Sequence, residues 1–365
     1  MLLRSIPRLS SFTRGRDNNF NLIRFIAALL VILSHSYPLT GNPAEPLSVL
    51  AGFTFGHLAV DIFFVTSGFL VSASLLKRSE LKSFITSRIV RIYPALIVAV
   101  AFSAYIIGPL FTSLPLVEYL KSPTTHNFFI HNSLLVVEPI QFSLPGTFEH
   151  LPVKNSVNGS LWTLPWEVAM YAALTFLGII SLLTFKRLHP QFLKVSITST
   201  AVLFTVVYFA NHSTHLITGP HLPHMIRFAA MFFMGGAYYI YRQNIPLSKH
   251  LFSILLALVI ISSTSPGNIS FFIYSLALPY LLLYLSYIPT GFIRRFNQLG
   301  DYSYGLYIYA FPIQQSLVFL RPDIPTTTLF LSAFPLTLFL AMLSWHFVEK
   351  PSLDHWRKQS KNPNR

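Results

Sequence analysis

Ten apolar stretches, each close to the length that an α-helix needs to cross a bilayer, dominate this 365-residue chain. Hydrophobic residues make up 53% of the sequence and charged residues only 10%, a balance that no soluble globular domain of this length shows. The pattern predicts an all-α integral membrane bundle of about ten transmembrane helices. The predicted spans cover residues 20–39, 57–76, 90–110, 164–184, 194–211, 225–241, 250–264, 270–288, 302–320 and 327–347.

The distribution of basic residues predicts the orientation of these spans. If the chain starts in the cytoplasm and crosses ten times, 21 of its 26 Lys and Arg residues lie on the cytoplasmic side. The exceptions are Lys121, Lys154, Arg227 and Arg321 toward the outer side, and Arg24 inside the first span. This bias follows the positive-inside rule and supports an even number of spans.

The chain is therefore expected to have three parts. Residues 1–19 form a cytoplasmic segment, residues 20–350 a membrane domain, and residues 351–365 a basic cytoplasmic tail. A Pro-rich outer loop at about 111–163 is expected to have an irregular, shaped surface. A cleaved signal peptide is disfavoured, because the first apolar run contains Arg24 and lacks a small-residue cleavage site. A multi-pass protein of the bacterial inner (plasma) membrane fits this organisation.

Composition also excludes several classes of function. The net charge of +14 does not predict a nucleic-acid partner, because the basic residues lie between apolar runs instead of on a soluble module. The absence of cysteine excludes thiol nucleophiles, disulfides and thiolate zinc sites. Four histidines at 212, 215, 221 and 224 have spacing that suits a metal, but no carboxylate or cysteine is near them in sequence. We interpret this segment as a polar outer loop that touches substrate, and we expect no metal.

An arginine and a histidine lie inside the first apolar stretch, in the segment RFIAALLVILSH. Ionisable groups in a membrane helix are costly and usually functional. The eleven residues from Arg24 to His35 turn a helix by roughly 1100°, about three full turns, so both side chains are predicted on one face. They lie about 16 Å apart along the axis, with Arg24 near the cytoplasmic surface and His35 in the outer leaflet.

Two carboxylates are predicted at the depth of His35. Asp61 lies early in the second span and Glu167 early in the fourth, and both of these spans begin at the outer face. A histidine near a carboxylate is the minimal equipment for general-base catalysis on a hydroxyl group. The alternative, that Asp61 and Glu167 are interfacial residues satisfied by water or by backbone donors, remains open from the residues alone.

A pair of arginines is predicted at the cytoplasmic entry to the third span. Arg88 and Arg91 are three residues apart and therefore face the same way on a helix. Guanidinium groups are the preferred partners of phosphate oxygens, so this pair and Arg24 are candidates to hold a phosphorylated donor. The alternative is that the pair is ordinary positive-inside charge.

Six segments follow one another in order between about residue 20 and residue 351. They are the Arg24 to His35 run, AVDIFFVTSGFLVS at 59–72, RIVRIYPAL at 88–96, NGSLWTLPWEV at 158–168, DYSYGLYIYAFPIQQ at 301–315 and FVEKP at 347–351. Together they resemble the acyltransferase-3 family of membrane proteins, which includes bacterial O-acetyltransferases of O-antigen and exopolysaccharide.

This resemblance implies transfer of an acyl group, usually acetyl from acetyl-CoA, to a glycan hydroxyl on the far side of the membrane. The motif arginine and histidine correspond to Arg24 and His35, the R-x-x-R pair to Arg88 and Arg91, and the acidic residue after S-L-W-T to Glu167. We expect the three arginines to bind the phosphates of acetyl-CoA and His35 to accept the proton of the acceptor hydroxyl.

The remaining site residues follow from the same expectation. Glu167 or Asp61 would orient the imidazole, while Trp162 and Ser160 would contact the acceptor, Trp162 by stacking on a sugar ring. Many relatives have a histidine where this chain has Ala310, so no role for a histidine is carried over to that position.

A secondary transporter or flippase that uses the same ionisable residues as a proton relay is the alternative function. Paired inverted repeats would favour it, and the sequence contains no evident repeat. A purely structural membrane anchor would not explain Arg24 and His35 on one stripe. The expected partners are acyl-CoA, a glycan or lipid-linked glycan acceptor and the lipid bilayer.

Overall fold

The computed structural model of the chain is built from α-helices joined by turns and short 3₁₀ and π segments, with no β-strand in the part of the chain that it describes. That part comprises residues 6–15, 17–78, 80–135, 140–265 and 267–361. Arg4, Arg16 and Arg365 of the predicted cytoplasmic ends, and Pro139 of the predicted outer loop, lie outside it. The prediction of an all-α membrane bundle is confirmed.

The α-helices of the described residues are numbered in chain order. They are α1 (Phe20–Leu39), α2 (Pro46–Ala51), α3 (Phe55–Lys77), α4 (Leu81–Phe102), α5 (Gly108–Phe111), α6 (Leu116–Lys121), α7 (Pro123–Leu134), α8 (Leu164–Phe185), α9 (Pro190–Thr214), α10 (Leu222–Ile240), α11 (Lys249–Ser263), α12 (Asn268–Tyr287), α13 (Ser303–Leu320), α14 (Thr326–Ser344) and α15 (Lys350–Lys361).

The ten predicted spans overlap helices α1, α3, α4 and α8–α14. The third, predicted at 90–110, begins inside α4 and runs through the π segment Ser103–Ile107 into α5. Within the described residues, seven helical stretches are long and apolar enough to cross a membrane: Phe20–Leu39, Phe55–Lys77, Leu81–Phe111, Gly159–Phe185, Pro190–Thr214, Asn268–Tyr287 and Thr326–Gln359. Helix α11 is apolar but has only 15 residues, which is short for a hydrocarbon core of about 30 Å. The number of crossings and the side on which the termini lie therefore stay predictions.

Two compact units make up the chain, and the first contains residues 1–27, 46–84 and 169–300. Its helices α3 and α10 approach each other closely because glycines lie at the contact. A Cβ atom on Gly68 would lie 1.8 Å from the carbonyl oxygen of Phe232, and one on Gly235 would lie 2.1 Å from that of Val65. Small residues let membrane helices pack backbone to backbone where lipid supplies no hydrophobic driving force. This contact brings α3 and α10 close enough for an ion pair between their side chains.

The second unit contains residues 28–45, 85–168 and 301–365, and α13 lies at its centre. Nearly every residue of α13 is buried, including two adjacent glutamines. Gln315 Nε2 donates hydrogen bonds to the carbonyl oxygens of Val153 and Ser156, at 2.8 and 2.7 Å. A buried amide that binds loop carbonyls satisfies backbone groups that water would otherwise have to bind. The outer loop is thus attached to the central helix of this unit.

The predicted outer loop contains more regular structure than its proline content indicates. Helices α6 and α7 lie within it, and a bridge pairs Thr112 with Thr147. The buried Tyr119 donates a hydrogen bond of 2.7 Å to the carbonyl oxygen of Ala104, which anchors α6. Pro123 is compatible with α7 because it lies in the first turn, where a backbone N–H makes no hydrogen bond within the helix.

The predicted orientation can be tested with compartment reporters. A reporter fused after Arg187, between α8 and α9, should report the cytoplasm, because the adjoining Lys186 and Arg187 belong to the predicted cytoplasmic charge cluster. Reporters at Lys154 and after Gly219 should both report the outside. Fluorescence and alkaline-phosphatase activity of the three fusions in intact cells would measure this. The same signal from the fusions at Arg187 and Lys154 would contradict the ten-span orientation.

Candidate functional site

His35 lies in the second unit, where its ring packs against the central helix α13. The centroids of the His35 and Phe311 rings are 5.2 Å apart and the rings are nearly perpendicular, at 79°. The Nδ1 atom of His35 is buried and has no hydrogen-bond partner among the described residues. Leaving a buried polar atom unpaired costs about 1–3 kcal/mol, so this nitrogen is suited to bind a group that arrives with a ligand.

The turn of α1 that carries His35 is held by a buried glutamine of α13. Gln314 Nε2 donates to the carbonyl oxygen of Ile32 and to Ser36 Oγ, both at 2.8 Å. Ser36 Oγ in turn donates to the carbonyl oxygen of Ile32, at 2.9 Å. Ile32 lies about one turn before His35 and Ser36 directly after it. The backbone on both sides of the histidine is therefore fixed to α13.

The segment Asn158–Thr163, which belongs to the motif NGSLWT, packs on the same part of α13. Asn158 Nδ2 donates a hydrogen bond of 2.9 Å to the carbonyl oxygen of Ile308. A Cβ atom on Gly159 would lie 2.6 Å from the Phe311 ring, so only glycine fits this approach. On either side of Gly159, Asn158 Oδ1 and Ser160 Oγ are buried without a partner among the described residues. The ring of Phe311 therefore lies against the ring of His35 and against Gly159, the residue between these two polar side chains.

Glu167 enters this region from the first turn of α8, where the helix dipole favours a negative charge. The hydroxyl groups of Thr163 and Tyr307 share a hydrogen bond, and the Glu167 carboxylate lies close enough to Tyr307 to interact with it electrostatically. Tyr307 and Phe311 are four residues apart on α13, about 6 Å along the axis. Glu167 and His35 thus adjoin successive turns of one helix, while the half-buried Trp162 lies in the 3₁₀ turn before α8.

The predicted arginine pair on α4 is not equivalent in the structure. Arg91 forms ion pairs with Asp301 and with Glu349, the latter at 3.3 Å. Glu349 is buried at the end of the π segment Trp345–Glu349 and also accepts a hydrogen bond of 3.1 Å from Ser344 Oγ. The charge of Arg91 is therefore balanced by two carboxylates. Arg88, by contrast, donates from Nε to Ser87 Oγ at 3.2 Å.

Arg24 lies in the first unit and has a different environment. Its Nη1 donates to Ser67 Oγ at 3.3 Å, and its guanidinium carbon is 5.1 Å from the centroid of the Phe63 ring. Its Nε is buried without a hydrogen-bond partner, and no carboxylate of the described residues pairs with it. A half-buried guanidinium with no counter-ion favours an anionic ligand.

Asp61 also belongs to the first unit, and both of its carboxylate oxygens are bonded there. Arg227 Nε donates to Oδ1 at 2.9 Å, Tyr274 donates its hydroxyl to Oδ2 at 2.9 Å, and His57 Nε2 lies 3.5 Å from Oδ2. Arg227 further donates to the carbonyl oxygen of His57, at 2.7 Å. The sequence does contain a signal for this network, because an arginine inside an apolar stretch, such as Arg227, is expected to have a buried partner. The charge pattern alone assigns Arg227 only to the outer side of the membrane.

Asp301 and Glu349 are further residues that the sequence pattern does not single out. Each lies inside a segment that carries the family resemblance, DYSYGLYIYAFPIQQ and FVEKP. Their common partner Arg91 lies 210 and 258 residues away along the chain. Among the described residues, no group of three or more histidine or acidic side chains has the arrangement of a metal site.

Comparisons with known proteins find O-acetyltransferases among the relatives of this chain. Over 352 residues, which are 92% of this chain and 96% of the relative, the sequence is 28% identical to an O-acetyl transferase of Shigella phage Sf6. Nodulation protein 10 of Rhizobium leguminosarum bv. viciae is 31% identical over 167 residues, 45% of this chain and 44% of that protein.

A putative O-acetyltransferase of Staphylococcus aureus (strain COL) is 24% identical over 331 residues, which are 82% of this chain and 53% of the relative. No solved structure matches the chain. The model of the acyltransferase-3 family, described as an acyltransferase domain, matches residues 17–346. Since that match covers nearly the whole sequence, the chain belongs to the acyltransferase-3 family of membrane proteins.

Proposed function

We propose that this protein transfers an acetyl group from acetyl-CoA to a hydroxyl of an extracytoplasmic glycan, in the inner (plasma) membrane of a bacterium. Family membership and the O-acetyl transferase of the Shigella phage, which aligns over 92% of this chain, support O-acetylation of a polysaccharide. The observation that carries the proposal is the buried, unpaired Nδ1 of His35, whose ring packs on Phe311. Gly159, which lies against the same Phe311 ring, is flanked by Asn158 and Ser160, and both of these have a buried, unpaired polar atom.

In the proposed reaction His35 accepts the proton of the acceptor hydroxyl. The hydroxyl oxygen then forms the ester bond to the acyl carbon, the carbon–sulfur bond of the thioester breaks, and the proton leaves with the thiol of CoA. The hydrogen bonds of Gln314 to Ile32 and Ser36 support this role, because they fix the turn of α1 that carries the imidazole while substrates change.

Of the two carboxylates that the sequence predicts to orient His35, Glu167 has the better support. It lies in the same unit as His35 and adjoins the neighbouring turn of α13 through Tyr307. The oxygens of Asp61 already bind Arg227 and Tyr274. We keep Ser160 and Trp162 as residues that contact the acceptor, since the hydroxyl of Ser160 is buried without a partner.

For the phosphates of the donor, Arg24 is the best-supported ligand, because its half-buried charge has no carboxylate partner in the described chain. Arg88 remains a proposed second ligand. The ion pairs of Arg91 with Asp301 and Glu349 favour a structural role, in which the guanidinium neutralises the buried carboxylate of Glu349 and the partly buried carboxylate of Asp301.

The proposed activity can be tested with purified protein in lipid vesicles. Radiolabelled acetyl-CoA and envelope polysaccharide, first treated with mild base to remove its esters, should give label on the polysaccharide that base releases again. Free CoA should appear in equal amount. Vesicles without the protein control for chemical acetylation. Movement of glycan across the membrane without ester formation would instead support the transporter alternative.

Single substitutions of the two arginines of α4 should have different effects on donor binding and on stability. Arg88→Gln should raise the KM for acetyl-CoA about tenfold, the scale of one charge-assisted hydrogen bond, and lower the thermal unfolding midpoint less than Arg91→Gln does. Arg91→Gln should lower the midpoint, because it takes away the cationic partner of the Asp301 and Glu349 carboxylates, at a cost of up to about 3 kcal/mol.

The double variant Arg91→Gln/Asp301→Asn is the matched control for the Arg91 substitution. Because it removes one of the two unpaired charges, it should recover part of the lost stability. Thermal unfolding in detergent and initial rates against acetyl-CoA concentration would measure these effects. Equal behaviour of Arg88→Gln and Arg91→Gln in both measurements would contradict the division of roles.

A further inference from the structure

A cavity of about 540 Å³ opens in the first unit, where the ends of six helices meet. It is lined at the start of α3, α10 and α12, and at the end of α2, α9 and α11. In the predicted alternating topology every one of these ends lies at the outer face. The cavity therefore belongs to the side of the membrane on which the acceptor glycan is expected.

The lining has the chemistry of a site for a ligand rich in hydroxyl groups. Four imidazoles, from His57, His212, His215 and His224, reach it. A neutral imidazole offers one hydrogen-bond donor and one acceptor, which matches a hydroxyl group that does both. Arg227 carries the only fixed charge among the lining residues, and its partner Asp61 balances that charge. The lining therefore offers no net negative charge to a cationic ligand and no excess of positive charge to a polyphosphate.

Aromatic rings form the flat parts of the cavity wall. The ring of Phe53 lies 4.7 Å from that of Tyr274 and 5.5 Å from that of His57, measured between centroids. The imidazole of His212 stacks on Phe271 at 3.6 Å with an angle of 7° between the planes. Flat apolar faces beside polar edges suit the C–H face and the hydroxyl edge of a sugar ring.

The inner end of the cavity is held rigid by buried polar contacts. Arg227 is bonded to Asp61 and to the carbonyl oxygen of His57, and Tyr274 donates its hydroxyl to Asp61. These contacts link α3, α10 and α12 at the position where the three helices line the cavity. A wall that is ordered before binding loses less entropy when a ligand arrives.

We propose that this cavity binds a sugar residue of the acceptor glycan, and this rests on the proposed acetyl transfer. Its volume of about 540 Å³ lies within the range of roughly 300–1,000 Å³ that is typical of small-molecule sites. The histidines bind the hydroxyl groups, the aromatic rings contact the face of the sugar, and the ion pair of Arg227 with Asp61 keeps the lining in place. The cavity thus contributes to selection of the glycan.

Two variants test the cavity by kinetics. His212→Phe keeps a ring that stacks on Phe271 but removes the nitrogens. Gly267→Trp adds bulk in open space, because a Cβ atom there meets nothing within 4 Å and the backbone is extended. His212→Phe should raise the KM for base-treated envelope polysaccharide by about fivefold to tenfold, for the loss of one or two hydrogen bonds. Gly267→Trp should raise it because the indole fills space that the sugar needs. The KM for acetyl-CoA should stay unchanged in both variants.

His250→Phe is the matched control for these variants. His250 is exposed at the opposite end of α11 and does not line the cavity, so its substitution should leave both KM values unchanged. Wild-type KM for the polysaccharide in both His212→Phe and Gly267→Trp would overturn the proposal, provided that both variants bind acetyl-CoA normally and are therefore folded.

A binding experiment without acetyl-CoA separates this proposal from the proposed acetyl transfer. Because the chain has no cysteine, Ser263→Cys places a single thiol in the cavity lining, and Ser265→Cys places one nearby on the exposed surface outside it. Base-treated envelope polysaccharide should slow labelling by a water-soluble maleimide at position 263 and not at 265. Protection at 263 without ester formation would support the cavity and overturn the transferase proposal. Ester formation without protection at 263 would overturn the cavity alone.

Discussion

The hydrocarbon core of a bilayer offers no water to a polar group, so each such group in this bundle must find its partner in the protein. The structure meets this requirement by pairing residues from distant parts of the chain, such as Asp61 with Arg227, and Arg91 with Asp301 and Glu349. A buried polar atom that has no partner in the protein therefore marks a place where a ligand can bind. The unpaired Nδ1 of His35 and Nε of Arg24 lie on one continuous helix.

In the second unit a single helix organises the residues of the proposed chemistry. Tyr307, Phe311 and Gln314 recur at about one-turn intervals along α13. Tyr307 interacts with Glu167, Phe311 packs against His35, and Gln314 holds the turn of α1 on which the histidine lies. A buried, fully packed helix is the rigid support that a general base requires. Helix α13 belongs to DYSYGLYIYAFPIQQ, one of the six segments that resemble the family, and the proposed site depends on it.

Sequence alone predicts the helices of this protein well and the contacts between them poorly. The first span is predicted at 20–39 and α1 covers Phe20–Leu39, because apolar runs of this length have few alternatives. Periodicity shows which face a residue occupies but not which helix faces it, so the partners of Arg91, more than 200 residues away, are not predictable. The helices of the outer loop are missed because proline content is not a measure of helix content where proline occupies a first turn.

The central claim is that His35 is the general base of acetyl transfer, and one comparison tests it most directly. Single-turnover transfer from radiolabelled acetyl-CoA to base-treated polysaccharide would be measured for the wild type, His35→Ala and His35→Gln, with acetyl-CoA binding measured on the same samples. We expect transfer to fall by roughly 10² to 10⁴ in both variants, because an amide binds a hydroxyl but cannot take its proton, while binding of acetyl-CoA stays close to that of the wild type. Full transfer by His35→Ala would contradict the claim.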